Sequence, residues 1–271
     1  MTGHRRPNDN ATESLMTSTP DVPAAYDRWA RYYDIGEIDR LPYLDYYASL
    51  LGPGDCSVLE IACGTGVMAA ALAQRIASAG HAPRVAGSDI SEAMLEIARA
   101  RHPTLEWVCA DMRSDAVQGR FDLVFCCFNS LQFMPTLDDL ARAFSAARAR
   151  VEPTGRFAFD LYQPNLPYLR IARTDTLARA VVHEGRALQI REDARYDDAD
   201  RMLTLDWRMV PADAPGEVLA ATQFRIRQFS PDEVEHALAA TGWRVLERYG
   251  DLDRSPFTAQ SKKQVLVCGP A

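Results

Sequence analysis

Val58-Leu59-Glu60-Ile61-Ala62-Cys63-Gly64-Thr65-Gly66 joins a short apolar run, starting at Ser57, to a tight loop with two glycines. An alanine-rich stretch of helical character follows, from about Gly66 to Ala79. A buried strand that ends in an acid and turns through glycines into a helix is the opening unit of a ligand-binding α/β sheet. The glycines let the backbone bend sharply and let a ligand approach without meeting a Cβ. Gly64, Gly66 and Ala69 also satisfy the G-x-G-x-x-A spacing of dinucleotide binders, so the loop alone leaves the ligand open.

Downstream the pattern repeats. Arg84 to Ser88 reads as a second strand, Ser91 caps a helix through Arg101, and Leu105 to Ala110 makes a third strand. Phe121 to Cys127 is a fourth, and Thr136 with Asp139 can start a helix running to about Val151. Pro153-Thr154-Gly155 reads as a turn into a fifth strand, Arg156 to Asp160. Strands alternating with helices over this length predict a parallel sheet covered on both faces. Upstream, Tyr26, Trp29 and Tyr33, then Leu41, Leu44, Tyr47 and Leu51, recur at helical spacing. They predict two short helices broken near Gly36 and Pro42.

The chain then changes character. Ala180 to His183, Leu188 to Tyr196, Met202 to Val210 and Ala220 to Phe229 read as consecutive strands with no helix between them. Leu203, Leu205, Trp207 and Met209 alternate with Thr204, Asp206 and Arg208, the mark of an antiparallel sheet with one buried face. Ser230 and Glu233 form a capping box around Pro231, and Gly242 stops the helix they start. Trp243 to Tyr249 and Gln264 to Cys268 close the chain as strands. The expected organisation is an α/β core over 24–162 and 230–271, an antiparallel β insertion or lid over 163–229, and a disordered polar tail over 1–23.

Three acids give the loop its meaning. Asp89 follows the second strand, where a carboxylate can accept both hydroxyls of a ribose. Asp111 follows the third and can accept an adenine amino group. Glu60 can orient the loop or meet an amino-acid ammonium group. Open α/β sheets bind ligands at these carboxyl ends of their strands. Lys and Arg are not clustered to meet a pyrophosphate, so adenosine with a cationic amino-acid arm fits better than a dinucleotide.

Composition narrows the class. With 271 residues, 47% hydrophobic and 25% charged, the chain suits a soluble domain with a real core, not a disordered, collagen-like or coiled-coil chain. No apolar stretch is long enough to cross a bilayer. Acids outnumber bases 37 to 30, giving a net charge of −7 and no basic stripe. A small-molecule partner is therefore expected, with no nucleic acid and no membrane. Six cysteines lack metal-ligand spacing, and the first residues lack an apolar h-region, so reduced thiols in a cytoplasmic protein are expected.

With these residues in place, the sequence resembles the class I S-adenosylmethionine-dependent methyltransferases. The matching stretches are Glu60 to Gly66, Asp89-Ile90-Ser91, Ala110-Asp111-Met112, and Phe121-Asp122-Leu123-Val124 leading into Phe128-Asn129-Ser130-Leu131. Ala62 stands where the commonest family pattern has its first glycine. The resemblance implies a Rossmann-like seven-stranded sheet whose last strand is antiparallel, with S-adenosyl-L-methionine as cofactor. Within the class the chain looks like small-molecule enzymes, the glycine/sarcosine-type and natural-product methyltransferases. Ala25-Tyr26-Asp27 and Tyr32-Tyr33-Asp34 resemble their segment that closes over the cofactor, and Ser255-Pro256-Phe257-Thr258 resembles their final hairpin.

The resemblance implies cofactor contacts at Tyr26, Tyr33, Glu60, Ala62, Cys63, Gly64, Gly66, Asp89, Ile90, Met94, Ala110, Asp111, Met112, Cys127 and Phe128. Asn129 and Tyr33 are candidates for the acceptor side. Of the histidines only His183 is placed where it could face an acceptor. Tyr26 and Tyr33 read equally as core aromatics, while Arg208, Arg225 and Arg227 read as a solvated face or as recognition of an acidic acceptor. Methyl transfer from a sulfonium needs neither an acid for the leaving group nor a metal. With no evident general base, nitrogen is the expected acceptor. O-methylation, a nicotinamide-dependent oxidoreductase and a non-catalytic adenosyl-ligand sensor are the alternatives.

Overall fold

The computed structural model of the chain describes residues 22–35 and 39–271. Of the polar stretch 1–23 only Val22 and Pro23 are described, and they open the first helix; the rest, like Gly36, lies outside the described residues. Helices α1 (Val22–Tyr33) and α2 (Leu41–Ala48) precede the core. Pro42 does not break a helix. It sits in the first turn of α2, where its missing N–H would have no intrahelical partner.

The core sheet has seven strands in the order β10-β11-β5-β4-β1-β2-β3. Their spans are β1 (Ser57–Ile61), β2 (Arg84–Asp89), β3 (Glu106–Cys109), β4 (Phe121–Cys126), β5 (Val151–Tyr162), β10 (Trp243–Tyr249) and β11 (Lys263–Pro270). β1 pairs in parallel with β2 and β4, and β11 runs antiparallel to both its neighbours. The chain therefore moves outward from β1 through β2 and β3, then returns to β4 on the other side of β1. The reversal leaves a crevice at the carboxyl ends of the central strands.

Period-2 alternation divides the side chains between two apolar layers. Val124 and Cys126 of β4, with Phe157 and Phe159 of β5, pack under α5 (Leu137–Arg150) and α7 (Pro231–Ala240). Leu123 and Phe125, with Ala158, pack on the other face under α2, α3 (Val67–Ser78) and α4 (Glu92–Arg101). The caps form as expected. Ser91 accepts from Met94 N–H at 3.2 Å, Thr136 from Asp139 N–H at 3.0 Å, and Ser230 with Glu233 completes both halves of its capping box.

Between β5 and α7 lies a second sheet, antiparallel, in the order β6-β7-β8-β9. Its strands are β6 (Arg173–His183), β7 (Arg186–Asp197), β8 (Met202–Pro211) and β9 (Ala220–Arg227), preceded by a single helical turn, α6 (Leu166–Leu169). α1 packs on β9, where Thr222 Oγ1 donates to Ala25 O at 3.0 Å. Gln132, fully buried in the 3₁₀ turn Ser130–Phe133, donates to Arg227 O at 3.1 Å and accepts from Tyr162 N–H at 3.2 Å. Its side chain thus stitches the two sheets together.

Two expectations about strands need correction. Pro153-Thr154-Gly155 is not a turn before β5 but a bulge within it, between the pairs Phe121↔Val151 and Leu123↔Arg156. A Cβ on Gly155 would lie 2.8 Å from Asp122 O and 2.9 Å from Phe121 O. β6 begins at Arg173, seven residues before the alternation becomes visible at Ala180. Register shifts between Arg173 and Thr176 and between Leu177 and Arg179 scramble the period on this edge strand.

Candidate active site

The bend after β1 uses left-handed backbone at Ala62, Gly64 and Gly66 (φ +56°, +53° and +77°). It is pinned by backbone bonds from Cys63 N–H to Ser88 O and from Gly66 N–H to Cys63 O, each 2.9 Å. Asp89 closes the other side. One carboxylate oxygen accepts from Gly64 N–H at 2.8 Å and the other from Ser91 N–H at 2.9 Å. Burial pushes the Asp89 carboxyl above its usual range, and the Ser91 and Gly64 N–H bonds oppose that push. Ser91 Oγ donates in turn to Asp27 of α1 at 2.5 Å, tying the helical cap to the loop.

Glu60 is 2% exposed and accepts from Ala69 N–H, in the first turn of α3, at 2.8 Å. The Cys127 thiol donates to its other oxygen at 3.5 Å. Burial lifts this carboxyl to about 8, with both hydrogen bonds pulling it back. Asp111 differs. Arg113 grips both of its oxygens through Nε at 3.0 and 3.1 Å and through Nη2 at 2.5 Å, and this holds the carboxyl below its usual value. Arg113 also reaches Asp139 at 2.6 Å, so its guanidinium is committed.

Two cavities meet above this bend. The smaller, about 400 Å³, is walled by Gly64, Asp89, Ile90, Ala110, Asp111 and Met112, with Arg225 from β9. The larger, about 940 Å³, runs from Glu60, Ala62, Cys63, Phe128 and Asn129 to the inner face of the second sheet, where Ile190, Glu192, Leu205, Trp207 and Phe224 line it. Tyr26, Tyr33, Ala62 and Phe133 border both. The Tyr33 ring lies against Gly64, whose Cβ would be 3.4 Å from Cε1. Burial pushes the Tyr26 and Tyr33 phenols above their usual value, so both keep their protons at neutral pH.

Four residues expected at the site stand elsewhere. Gly66 lines neither cavity; the place of its missing Cβ is filled by the Trp107 ring. Met94 is 1% exposed inside α4, and Cys127 is spent on Glu60 from behind. His183 ends β6 with its side chain 39% exposed, 4.0 Å from Glu184, and borders neither cavity. Of the three arginines singled out, Arg208 pairs with Asp175 and Asp193 on the outer face of the second sheet. Arg227 pairs with Glu233, and Arg225 alone reaches a cavity.

The sequence reading missed a buried cluster at the floor of the larger cavity. Asp160, fully buried at the carboxyl end of β5, accepts from Lys263 Nζ at 2.6 Å, Phe128 N–H at 3.0 Å and Tyr47 Oη at 3.3 Å. Lys263 also donates to Asn129 Oδ1 at 3.3 Å, holding two successive left-handed residues, Phe128 and Asn129 (φ +57° and +61°). An acid at the end of a third parallel strand, in line with Asp89 and Asp111, was the available signal.

Residues 58–155 match the family described as a methyltransferase domain. The Bacillus subtilis (strain 168) protein YqeM, which carries a provisional methyltransferase name, is 30% identical over 93% of this chain and 91% of its own length. The CcbJ methyltransferase of Streptomyces caelestis superposes with a TM-score of 0.75 and 25% identity, over 93% of this chain and 99% of that one. CalS10 of Micromonospora echinaspora, an amino pentose methyltransferase solved with S-adenosylmethionine bound, gives a TM-score of 0.65 at 19% identity, over all of both chains.

Proposed function

Because the chain belongs to the class I S-adenosylmethionine-dependent methyltransferases, acting on small molecules with S-adenosylmethionine as methyl donor, we propose that its acceptor atom is a nitrogen. The observation that carries this reading is the state of the titratable groups around the larger cavity. The phenols of Tyr26, Tyr33 and Tyr43 are held protonated, chiefly by burial. Glu192 is committed to Arg173 at 2.9 Å and to Trp207 Nε1 at 2.9 Å. Glu60 is committed to Ala69 and Cys127. Among the described residues, no carboxylate lining this cavity stands free to take a proton from a hydroxyl. A neutral amine needs none, because its lone pair is already the nucleophile.

The residues fit the donor. In the smaller cavity Asp89 would accept the ribose hydroxyls, Ile90 and Met112 would cover the adenine, and Asp111 would take its amino group beside Arg113. Glu60, Ala62 and Cys63 would hold the amino-acid arm. When bound, the donor supplies a methyl group on a sulfonium whose departure leaves a neutral thioether. The chain's contribution is then positioning and exclusion of water. Tyr26, Tyr33 and Phe133, at the border between the cavities, would confine the acceptor on the line of transfer, an effect worth about 7–11 kcal/mol. Incubation with labelled donor and paired panels of amines and matching alcohols tests the acceptor atom. Label in the amines supports nitrogen; label in the alcohols alone contradicts it.

Two expected results follow for the donor site. Asp89→Ala loses charge-assisted hydrogen bonds worth about 1.5–3 kcal/mol, weakening S-adenosylhomocysteine about 10- to 100-fold by calorimetry. Asp89→Asn keeps the side chain's size and isolates the loss of charge. The second concerns Glu60. With its carboxyl lifted to about 8, it is protonated at neutral pH in the free protein, and a bound cation favours the carboxylate. Donor binding should therefore release a proton, and affinity should rise with pH from about 6 to 8 by up to about tenfold per unit, then level. Glu60→Gln should flatten that slope. For folding the same shift has the other sign: the group's contribution to stability falls as pH rises from about 4.5 towards 8.

A further inference from the structure

The inner face of the second sheet is apolar along most of its length, with Ile190, Leu203, Leu205, Phe224 and Ile226 lining the larger cavity. Two guanidinium groups interrupt it. Arg173 and Arg179 both project from β6 into that lining, opposite Ala194 and Ile190 in the register. One carboxylate answers them. Glu192 Oε1 accepts from Arg173 Nη2 at 2.9 Å, with the two side chains 18% and 13% exposed, and its Oε2 is taken by Trp207 Nε1. Arg173 Nη1 is buried without a hydrogen-bond partner. Arg179 makes no hydrogen bond or ion pair among the described residues. The wall thus carries an excess positive charge and unused donors in apolar surroundings, an arrangement that costs free energy until an anion arrives.

The other cations of the cavity are spent or peripheral. Arg40 pairs with Asp34 at 2.7 Å, and Lys262 is exposed. On the opposite face of the same sheet, Arg191 and Arg208 pair with Asp175, and Arg195 pairs with Asp206.

We propose that the methyl acceptor carries an anionic group, a carboxylate or a phosphate, received by Arg173 and Arg179. Guanidinium donors suit either group, and a forked contact would orient the acceptor as well as hold it. The inference rests on the reading of the larger cavity as the acceptor site. It makes the second sheet the source of substrate selection, with the acceptor's nitrogen directed towards Asn129 and the donor.

Calorimetry on the full chain saturated with S-adenosylhomocysteine tests this, with acetate, inorganic phosphate and pyrophosphate as probes against sodium chloride of equal ionic strength. At least one probe should bind saturably below about 20 mM and weaken about tenfold or more in Arg179→Met. Arg179 has no partner to orphan, so that variant is not exposed to the folding cost that Arg173→Met carries through Glu192. Arg208→Met, on the outer face, should leave probe binding unchanged. Acetate alone points to a carboxylate and the phosphates to a phosphate ester. No saturable binding, or equal binding in Arg179→Met, overturns the proposal. The S-adenosylhomocysteine titration keeps the two readings separate: normal cofactor binding without probe binding removes only this inference, whereas absent cofactor binding removes the donor-site reading.

Discussion

Replacing Asp160 with alanine is expected to lower the unfolding free energy by about 3–5 kcal/mol, because it leaves the Lys263 ammonium buried without its counter-charge. The Lys263 side chain is 11% exposed, and burial works against its charge; Asp160, with Tyr43 beside it, is what carries its proton affinity above the usual range. The carboxylate also receives Phe128 N–H, Tyr47 Oη and Tyr43 Oη, so four donors lose their acceptor together. Urea titration would measure the loss. Adding Lys263→Met to Asp160→Ala should recover part of it, since removing both charges relieves the orphaned cation. A single variant as stable as the wild type would show that the cluster contributes nothing. Because Asp160 anchors Phe128 and Lys263 reaches Asn129, the single variant should also loosen the floor of the larger cavity.

Gly66→Ala is expected to cost about 2–5 kcal/mol, the sum of two separable effects. The backbone there has φ +77°, which costs a residue with a Cβ about 1–2 kcal/mol. The new methyl would also lie 2.4 Å from Trp107 Cη2 and 2.9 Å from two further ring atoms, an overpacking worth about 1–3 kcal/mol. Gly87→Ala meets the same ring at 2.5 Å, and Cys63 Sγ at 2.8 Å, without positive φ. It should show the steric part alone. Trp107→Leu combined with Gly66→Ala should relieve the clash and leave the backbone cost. Denaturation midpoints of these variants would test the division, and equal losses for the two alanine variants would contradict it.

Much of this architecture can be read without coordinates because its signals are local. The run from Ser57 to Gly66, the caps at Ser91, Thr136 and Ser230, and the alternation from Leu203 to Met209 each encode their element in a few residues. Asp89 and Glu60 could be placed beside the bend because both fall at the ends of neighbouring buried strands, in register with Asp111 and next to the glycine loop. What escapes is whatever depends on distant partners. Lys263 and Asp160 are 103 residues apart, and nothing near either one announces the other. Arg173 and Arg179 fall in a stretch of β6 whose bulges erase the two-residue period, so attention settles on the regular arginines of β8 and β9 instead. Gly66 shows a different limit. A glycine in a ligand-binding motif looks like a ligand contact, yet here its missing side chain makes room for an indole.

The most direct test is a crystal structure of the chain grown with S-adenosylhomocysteine. The expected density places the ribose on Asp89, the adenine between Ile90 and Met112, and the amino-acid arm beside Glu60 at the bend after β1. An empty bend, the ligand bound elsewhere, or displacement of the ligand by a pyrophosphate-linked nucleotide such as NADH would contradict it.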